Sequence, residues 1–441
     1  MVHEQRADLL GAPLSNEGID RAIASKIEAL QTLRRNLSGV GAHNSLFLLK
    51  NCFLLPKLLY TLRTVPTWKR TEALEEFDSI QKEILQDILN ITLEVNAWDQ
   101  ASLPVRSGGL GIRKAADLAI PAYFSSLNSS ALVAANILPA DLTLRTAMPV
   151  EAEANWLMRS GRSHQPEEAD SQKAWDKPLI DQTYQNLLDG SDSVCTQARL
   201  VAVTGQCSGA WLEAIPVAAL GTQLDDEAVR ISVSLRLGSN ICIPHTCRCS
   251  GNVDADGQHG LHCQKSAGRH PRHSELNTII HRSLSSIGRP SILEPVGMTR
   301  EDGRRPDGLT LFPWHQGKTL VWDATCVSTL APSNLQHSIL QAGAAANHAE
   351  EKKREKYSDL ASSYIFTPLG FETIGQWGPS TLKFIKELGT LLEQATGEKR
   401  STAFLKQRLS VAIQRGNAAA VRGTVPEGGT FSELFHLPFV N

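Results

Sequence analysis

The chain has 441 residues, 41% of them apolar and 20% charged, with a formal charge of −2. That length exceeds one ordinary hydrophobic core, so several domains are expected. The near-neutral balance excludes a wholly basic nucleic-acid coat while leaving room for a local basic patch, and eight cysteines in a chain of this size exclude a dense disulfide framework.

MVHEQRADLL carries charges where a secretory signal needs an apolar core. Ile19, Ile23, Ile27, Leu30, Leu33 and Leu37 recur at steps of three and four and predict an amphipathic helix. The run SLFLLKNCFLLPKLLY is broken by Lys50, Asn51, Pro56 and Lys57. A membrane span needs about 20 apolar residues, so a buried helix is expected here and no membrane partner. Leu74, Phe77, Ile84 and Ile88 repeat the helical pattern after Thr71, a suitable N-cap. Gly108-Gly109-Leu110-Gly111 predicts a tight turn before a helix through Ala115–Leu127. Residues 136–235 have weaker periodicity, with an exposed acidic patch at Glu167–Asp170 and an apolar helical fragment, WLEAIPVAAL. The expected fold is multidomain with an α-helical N-terminal half: a helical domain over 1–135 and a helical linker region over 136–235.

Within 236–267 the soft metal ligands gather. Cys247, Cys249, His259 and Cys263 supply three thiolates and an imidazole, a set suited to structural zinc. The Asp254–Gly257 turn lets the two halves fold together into a small zinc knuckle. Cys242, His245 and His262 are spare candidates, and the alternative is a group of reduced core cysteines beside surface histidines.

From 268 to 395 the pattern predicts a helix ending at Gly288, then strands in SILEPVGM, RPDGLTLF and KTLVWDATCV. A strong helix, AAANHAEEKKREKYSDLASS, and a last strand, YIFTPLGFETIG, complete an α–β–β–β–α–β domain. The segment TLKFIKELGTLLEQATG reads as a further helix, and 396–441 as a C-terminal helix and polar, Gly-rich tail. Asp307 opens one candidate strand and Asp323 lies centrally in the next, so the two can face each other and share a divalent ion. Hard oxygen ligands with open water positions suit catalytic magnesium, or manganese. Glu294 and Glu275 are further ligand or water-positioning candidates. Each has a plainer reading: Pro306-Asp307 as a turn, Glu294 as a strand end, Glu275 as a surface charge. Lys352, Lys353 and Lys356 read equally as a solvated helix face supported by Glu350, Glu351 and Glu355. From Lys265 to Lys318 nine Lys/Arg stand against five Asp/Glu, so the basic stretch overlaps the candidate site.

With this set assembled, the chain resembles the C-terminal part of a non-LTR retrotransposon polyprotein of the restriction-like endonuclease kind. In that family a reverse transcriptase, thumb and linker precede a CCHC knuckle and a PD-(D/E)xK-type nuclease. The nuclease features are GRHPRH (268–273), RRPD (304–307), Asp323 and KREKY (353–357); upstream, LLGAPLS, PKLLYTLR and LPVRSGGLGIRKAADLA resemble the segment after the polymerase palm. The resemblance implies metal binding at Asp307 and Asp323. It places Thr325 where the wider fold carries its lysine, and moves that lysine to Lys353 or Lys356 on the following helix. Arg269, Arg272, Arg304 and Arg305 are then expected to contact phosphate. The implied fold is a C-terminal α/β restriction-endonuclease-like domain, and the implied reaction is DNA phosphodiester hydrolysis leaving a 5′-phosphate and a 3′-hydroxyl. Implied partners are DNA and element RNA, and the implied location is nuclear. No Tyr-x-Asp-Asp occurs, so no polymerisation is expected from this chain alone, which reads as a truncated or decaying element copy. The C-x-C spacing also departs from the common knuckle. The alternatives are a catalytically inactive nucleic-acid-binding remnant and a helical interaction protein stapled by zinc.

Overall fold

A computed structural model describes residues 8–139, 148–298, 305–427 and 429–435. It divides into two compact units, Met1–Leu89 with Leu93–Gly190, and Asn90–Thr92 with Ser191–Asn441.

In the first unit a short antiparallel pair, β1 (Asp8–Leu9) and β2 (Ala12–Pro13), precedes α1 (Asn16–Asn36), whose N-cap Ser15 hydroxyl accepts the Gly18 amide at 3.1 Å. Ile19, Ile23, Ile27 and Leu30 form its buried face. Next come α2 (Ala42–Leu48) and α3 (Leu55–Thr64), joined through a π-helical turn at Leu49–Phe53. The joined helix is long and apolar enough, by length and composition, to cross a membrane. Leu46, Leu49, Leu54, Leu58 and Leu62 are nevertheless buried within the unit. After α4 (Thr71–Leu89) and α5 (Val95–Ser102), the glycine turn appears as expected. Gly108 and Gly111 adopt φ of 89° and 80°, and a Cβ on Gly109 would lie 2.0 Å from the Leu103 carbonyl oxygen. The turn delivers α6 (Ala115–Ala134), whose first amides, Ala115 and Ala116, donate to Asp78 on α4 at 2.7 and 3.1 Å.

The expected linker does not form one body. Its first helices, α7 (Val150–Ser160) and α8 (Gln172–Asp189), bury Trp156 and Trp175 against Phe124 of α6 and so belong to the first unit. The boundary falls at Gly190–Ser191, and α9 (Val194–Val203) and α10 (Asp226–Leu237) belong to the second unit. WLEAIPVAAL forms two 3₁₀ turns, Ala210–Glu213 and Ala218–Leu220, because Pro216 between them interrupts any α-helix.

The second unit continues through a hairpin of β3 (His245–Thr246) and β4 (Asn252–Val253), then α11 (His259–His262) and α12 (Arg269–Ser286). The sheet strands are β5 (Ser291–Leu293), β6 (Gly308–His315) and β7 (Lys318–Val327). After α13 (Leu335–Leu340) and α14 (Ala344–Lys356), β8 (Ile365–Glu372) joins beside β7. The order is β5-β6-β7-β8, antiparallel across the first two junctions and parallel at the last, where α14 makes the crossover. Finally come α15 (Pro379–Thr396), α16 (Ser401–Arg422) and α17 (Phe431–Phe435).

Leu276, Ile280 and Leu284 of α12 meet Leu320 and Trp322 of β7, Leu369 and Phe371 of β8, and Phe384 and Leu388 of α15 in one core. The helix expected within 396–441 forms as α16 and enters the core, where Leu405, Leu409, Ala412 and Ile413 join the cluster. Its buried polar residues find backbone partners. Ser410 accepts the Trp211 amide at 3.2 Å, and Asn417 donates to the Thr373 carbonyl at 2.7 Å.

Candidate functional site

Two groups of chemistry-bearing side chains lie in the second unit. The first is the cysteine and histidine cluster. Ser250 takes a left-handed φ of 68°, folding the β3–β4 turn so that Cys247 and Cys249 face α11, which carries His259 and leads into Cys263. The four ligand atoms lie within 4.8 Å of one another. Cys247 and Cys263 sulfurs stand 3.8 Å apart, and Cys249 Sγ stands 3.2 Å from His259 Nε2. A tetrahedron with metal–sulfur bonds of about 2.3 Å has edges of about 3.8 Å. The donor set and its spacing therefore fit a metal ion such as zinc. The spare candidates are engaged elsewhere: Cys242 donates to the Asp254 carbonyl, and the His245 ring lies within hydrogen-bond distance of the Ile243 carbonyl and the Thr424 hydroxyl. His262 only approaches the His259 ring edge-on, at 5.5 Å between centroids.

The second group is built by strand register. Gly308 pairs with Trp322, and the Asp307 amide donates to the Trp322 carbonyl at 3.0 Å. Asp307 therefore stands beside Asp323 on the neighbouring strand. Its Oδ2 accepts the Ala324 amide at 2.6 Å and His273 Nε2 at 2.9 Å. Side chains alternate along β7, so Leu320 and Trp322 enter the α12 core while Asp323, 3% exposed, takes the opposite face. There Lys353 of α14 donates to Asp323 Oδ2 at 2.8 Å.

Electrostatics follow from this placement. Burial works to raise Asp307, yet the hydrogen bond and charge of His273, with the Ala324 amide, hold its carboxyl below the ordinary value. The same hydrogen bond raises His273. Burial and then the charge of Asp307 push Asp323 upward, against the pull of Lys353. Two adjacent carboxylates, Asp323 buried and Asp307 half-buried, are oxygen ligands of the kind a hard divalent cation takes.

The other expected residues fall out differently. Of the two lysines, Lys353 reaches the acids, whereas Lys356 donates to the Tyr357 hydroxyl at 2.9 Å. Glu275 pairs with Arg415 of α16, because it lies two residues beyond His273 and so on another face of α12. The Glu294 amide donates to the Asp307 carbonyl at 2.8 Å, but its side chain turns away to pair with Arg305. Arg269 is exposed. Arg272 is 3% exposed and donates to Asn417 at 2.7 Å, so it offers no free surface cation. Arg304 lies outside the described residues. Glu350 is a buried cap rather than a helix-surface partner, accepting the Ser380 and Thr381 amides at 2.9 and 3.0 Å at the start of α15.

Sequence reasoning assigned no role to His273 or Asn277. The Trp322 indole donates to Asn277 Oδ1 at 2.9 Å, which turns the Asn277 amide group toward the His273–Asp307 pair. A His-x-x-x-Asn spacing on one helix face ahead of a carboxylate strand was the available signal. A cleft of about 420 Å³ opens beside this group, bounded by Cys263, the first turn of α12, the end of β7 and Lys353. Two other clefts, of about 470 and 550 Å³, lie in the first unit. Several of their charged groups are held in the pairs Arg113–Asp176, Lys114–Asp99 and Arg159–Asp117.

No protein-family model matches the chain, and no curated protein matches it.

Proposed function

We propose that the second unit is a metal-dependent DNA endonuclease domain of the restriction-like kind, within the C-terminal part of a non-LTR retrotransposon polyprotein. The observation that carries this reading is the placement of Asp307, just before β6, beside Asp323 on β7, with Lys353 delivered to Asp323 from the crossover helix. Supporting it, the elements follow the α–β–β–β–α–β order expected from the sequence, with a helix between β7 and β8. Magnesium held by the two carboxylates would supply Lewis-acid stabilisation of the phosphoryl oxygens. Lys353 holds the attacking water and offsets charge on the scissile phosphate, while His273 keeps the Asp307 carboxylate oriented. Water attacks phosphorus, the bond to the 3′ oxygen breaks, and a 5′-phosphate and 3′-hydroxyl result. The cysteine and histidine cluster holds structural zinc, and the partners are DNA and element RNA in the nucleus.

The test is nicking of supercoiled plasmid by zinc-loaded protein with magnesium or manganese, beside Asp307→Asn and Asp323→Asn. Metal-dependent nicking lost in both variants supports the reading; its absence from folded protein overturns it. A second reading, a nucleic-acid-binding remnant without turnover, draws on the pairing of both carboxylates with cationic side chains, His273 and Lys353. Salt-dependent DNA binding without cleavage would select it.

A further inference from the structure

The two oxygens of the Asp307 carboxylate are used unequally. Oδ2 accepts the Ala324 amide at 2.6 Å and His273 Nε2 at 2.9 Å. A carboxylate oxygen offers about two lone-pair sites, so these bonds fill Oδ2 and leave Oδ1 for a cation. Asp323 is divided in a similar way, with Oδ2 paired to the Lys353 ammonium at 2.8 Å.

The division at Asp307 is set from inside the core. Trp322 is fully buried, and its indole N–H, which can only donate, meets Asn277 at 2.9 Å. The atom facing the indole is therefore the amide oxygen, and the Asn277 nitrogen is turned toward His273, 3.4 Å from Nε2. Asn277 is 4% exposed, so water does not compete for this orientation. A proton must lie between His273 Nε2 and Asp307 Oδ2, since two bare lone pairs would otherwise face each other at 2.9 Å. With that proton in place Nε2 cannot accept from Asn277. The Asn277 amide instead favours the ionised Asp307 carboxyl directly. His273 and Asn277 are four residues apart on α12 and so share one helix face, from which both act on the same carboxyl.

We propose that His273 and Asn277 are positioning residues that restrict Asp307 to a single oxygen toward the cation, and thereby set the choice of ion: magnesium or manganese in preference to calcium. The inference rests on the endonuclease reading for the presence of a divalent ion at Asp307 and Asp323. Calcium takes about six to eight oxygens and is commonly gripped by both oxygens of one carboxylate, whereas magnesium keeps a compact octahedral shell filled largely by water. Manganese shares the octahedral preference. Single-oxygen contacts from the acids suit these ions and leave calcium short of protein ligands.

The experiment is calorimetric titration of zinc-loaded protein with magnesium, manganese and calcium, with Asp323→Asn as the blank for ions bound elsewhere. Plasmid nicking with each ion is read in parallel. His273→Ala frees a lone-pair site on Oδ2, at a side chain that is 41% exposed and contributes little to the core. His273→Gln retains a donor at that place, and Asn277→Ala removes the amide. The affinity ratio of manganese to calcium is expected to move toward calcium by about tenfold in His273→Ala and Asn277→Ala, the scale on which hydrogen-bond partners of a metal ligand act. In His273→Gln it should stay within a few-fold of wild type. If Asn277→Ala fails to fold, the two His273 variants decide alone. An unchanged ratio in folded His273→Ala, an equal shift in His273→Gln, or wild-type binding that Asp323→Asn does not reduce overturns the inference. A ratio that shifts as expected without nicking by any ion keeps the positioning role and removes the nuclease. Nicking with an unchanged ratio does the reverse.

Discussion

The indole of Trp322 occupies the space where a side chain on Gly308 would stand: a Cβ there would fall 2.0 Å from the ring. This contact locks the register of β6 on β7, because Gly308 and Trp322 are paired residues. It also fixes the amide of Asp307, one residue earlier, on the Trp322 carbonyl. Glycine at 308 is thus a condition for Asp307 to stand beside Asp323. Gly308→Ala is expected to cost about 3 kcal/mol of stability, the upper range for overpacking a close-packed site. Urea unfolding should show a lowered midpoint, and, on the endonuclease reading proposed above, plasmid nicking should fall further than the loss of folded protein accounts for.

Glu350 offers a second stability test. It is fully buried and accepts the amides of Ser380 and Thr381 and the Thr381 hydroxyl, the last at 2.8 Å. Removing the carboxylate strands these donors at the start of α15. Glu350→Ala is expected to cost about 3 kcal/mol, and Glu350→Gln less, since it retains one acceptor. Chemical denaturation of the three proteins side by side gives the ranking.

Glu372 gives the pH dependence a sign. Burial pushes its carboxyl up to about 7, against the Ala346 amide that donates to Oε1 at 3.1 Å. The folded state therefore holds this proton more tightly than the unfolded chain. The stability it contributes is fully present below the unfolded value near 4.5 and is lost as pH rises toward about 7. A shift of that size corresponds to about 3 kcal/mol. Glu372→Gln should flatten this fall between pH 5 and 7.5, read as unfolding free energy against pH.

The metal cluster predicts a pattern among cysteines. Cys247→Ala, Cys249→Ala and Cys263→Ala should each release zinc, while Cys242→Ala should keep it, since Cys242 faces the Asp254 carbonyl. Metal content of the purified variants decides this. Chelation of the wild type should make the 247–263 segment the first site of limited proteolysis, because such hairpins depend on their ion for order.

Much of the second unit was legible because its elements obey local rules. The β-branched runs at 308–315 and 318–327 became strands, and Gly288, with φ of 69°, terminates α12 as its position suggested. The four zinc-type ligands were legible from residue type and crowding alone. What escaped was set by tertiary partners. A C-terminal helix was expected within 396–441, but not its central place: Ser410, Gln414 and Asn417 interrupt the apolar face of α16, and their burial rests on the backbone groups of Trp211 and Thr373 and, for Asn417, on Arg272. Arg272 reads as a phosphate contact until α16 covers it, and Glu275 reads as a ligand until Arg415 takes it. Trp156 and Trp175 carry no periodic signal strong enough to assign α7 and α8 to the first unit, yet their rings, 5.1 Å apart, hold both there.

The choice between two lysines three residues apart is the sharpest functional prediction. On α14 the step from 353 to 356 rotates a side chain by about 300°, so the two share a flank of the helix while aiming at different neighbours. Lys353 meets Asp323, whereas Lys356 lies over the Tyr357 ring, 4.4 Å from its centroid. If the carboxylate pair is the reacting centre, Lys353→Met should lower metal-dependent nicking at least 100-fold, the usual effect of deleting one charge-stabilising group. Lys356→Met should leave nicking within a few-fold of wild type. Equal losses in both would mean that the lysines act through a shared basic surface, and loss only at Lys356 would place the chemistry away from Asp323.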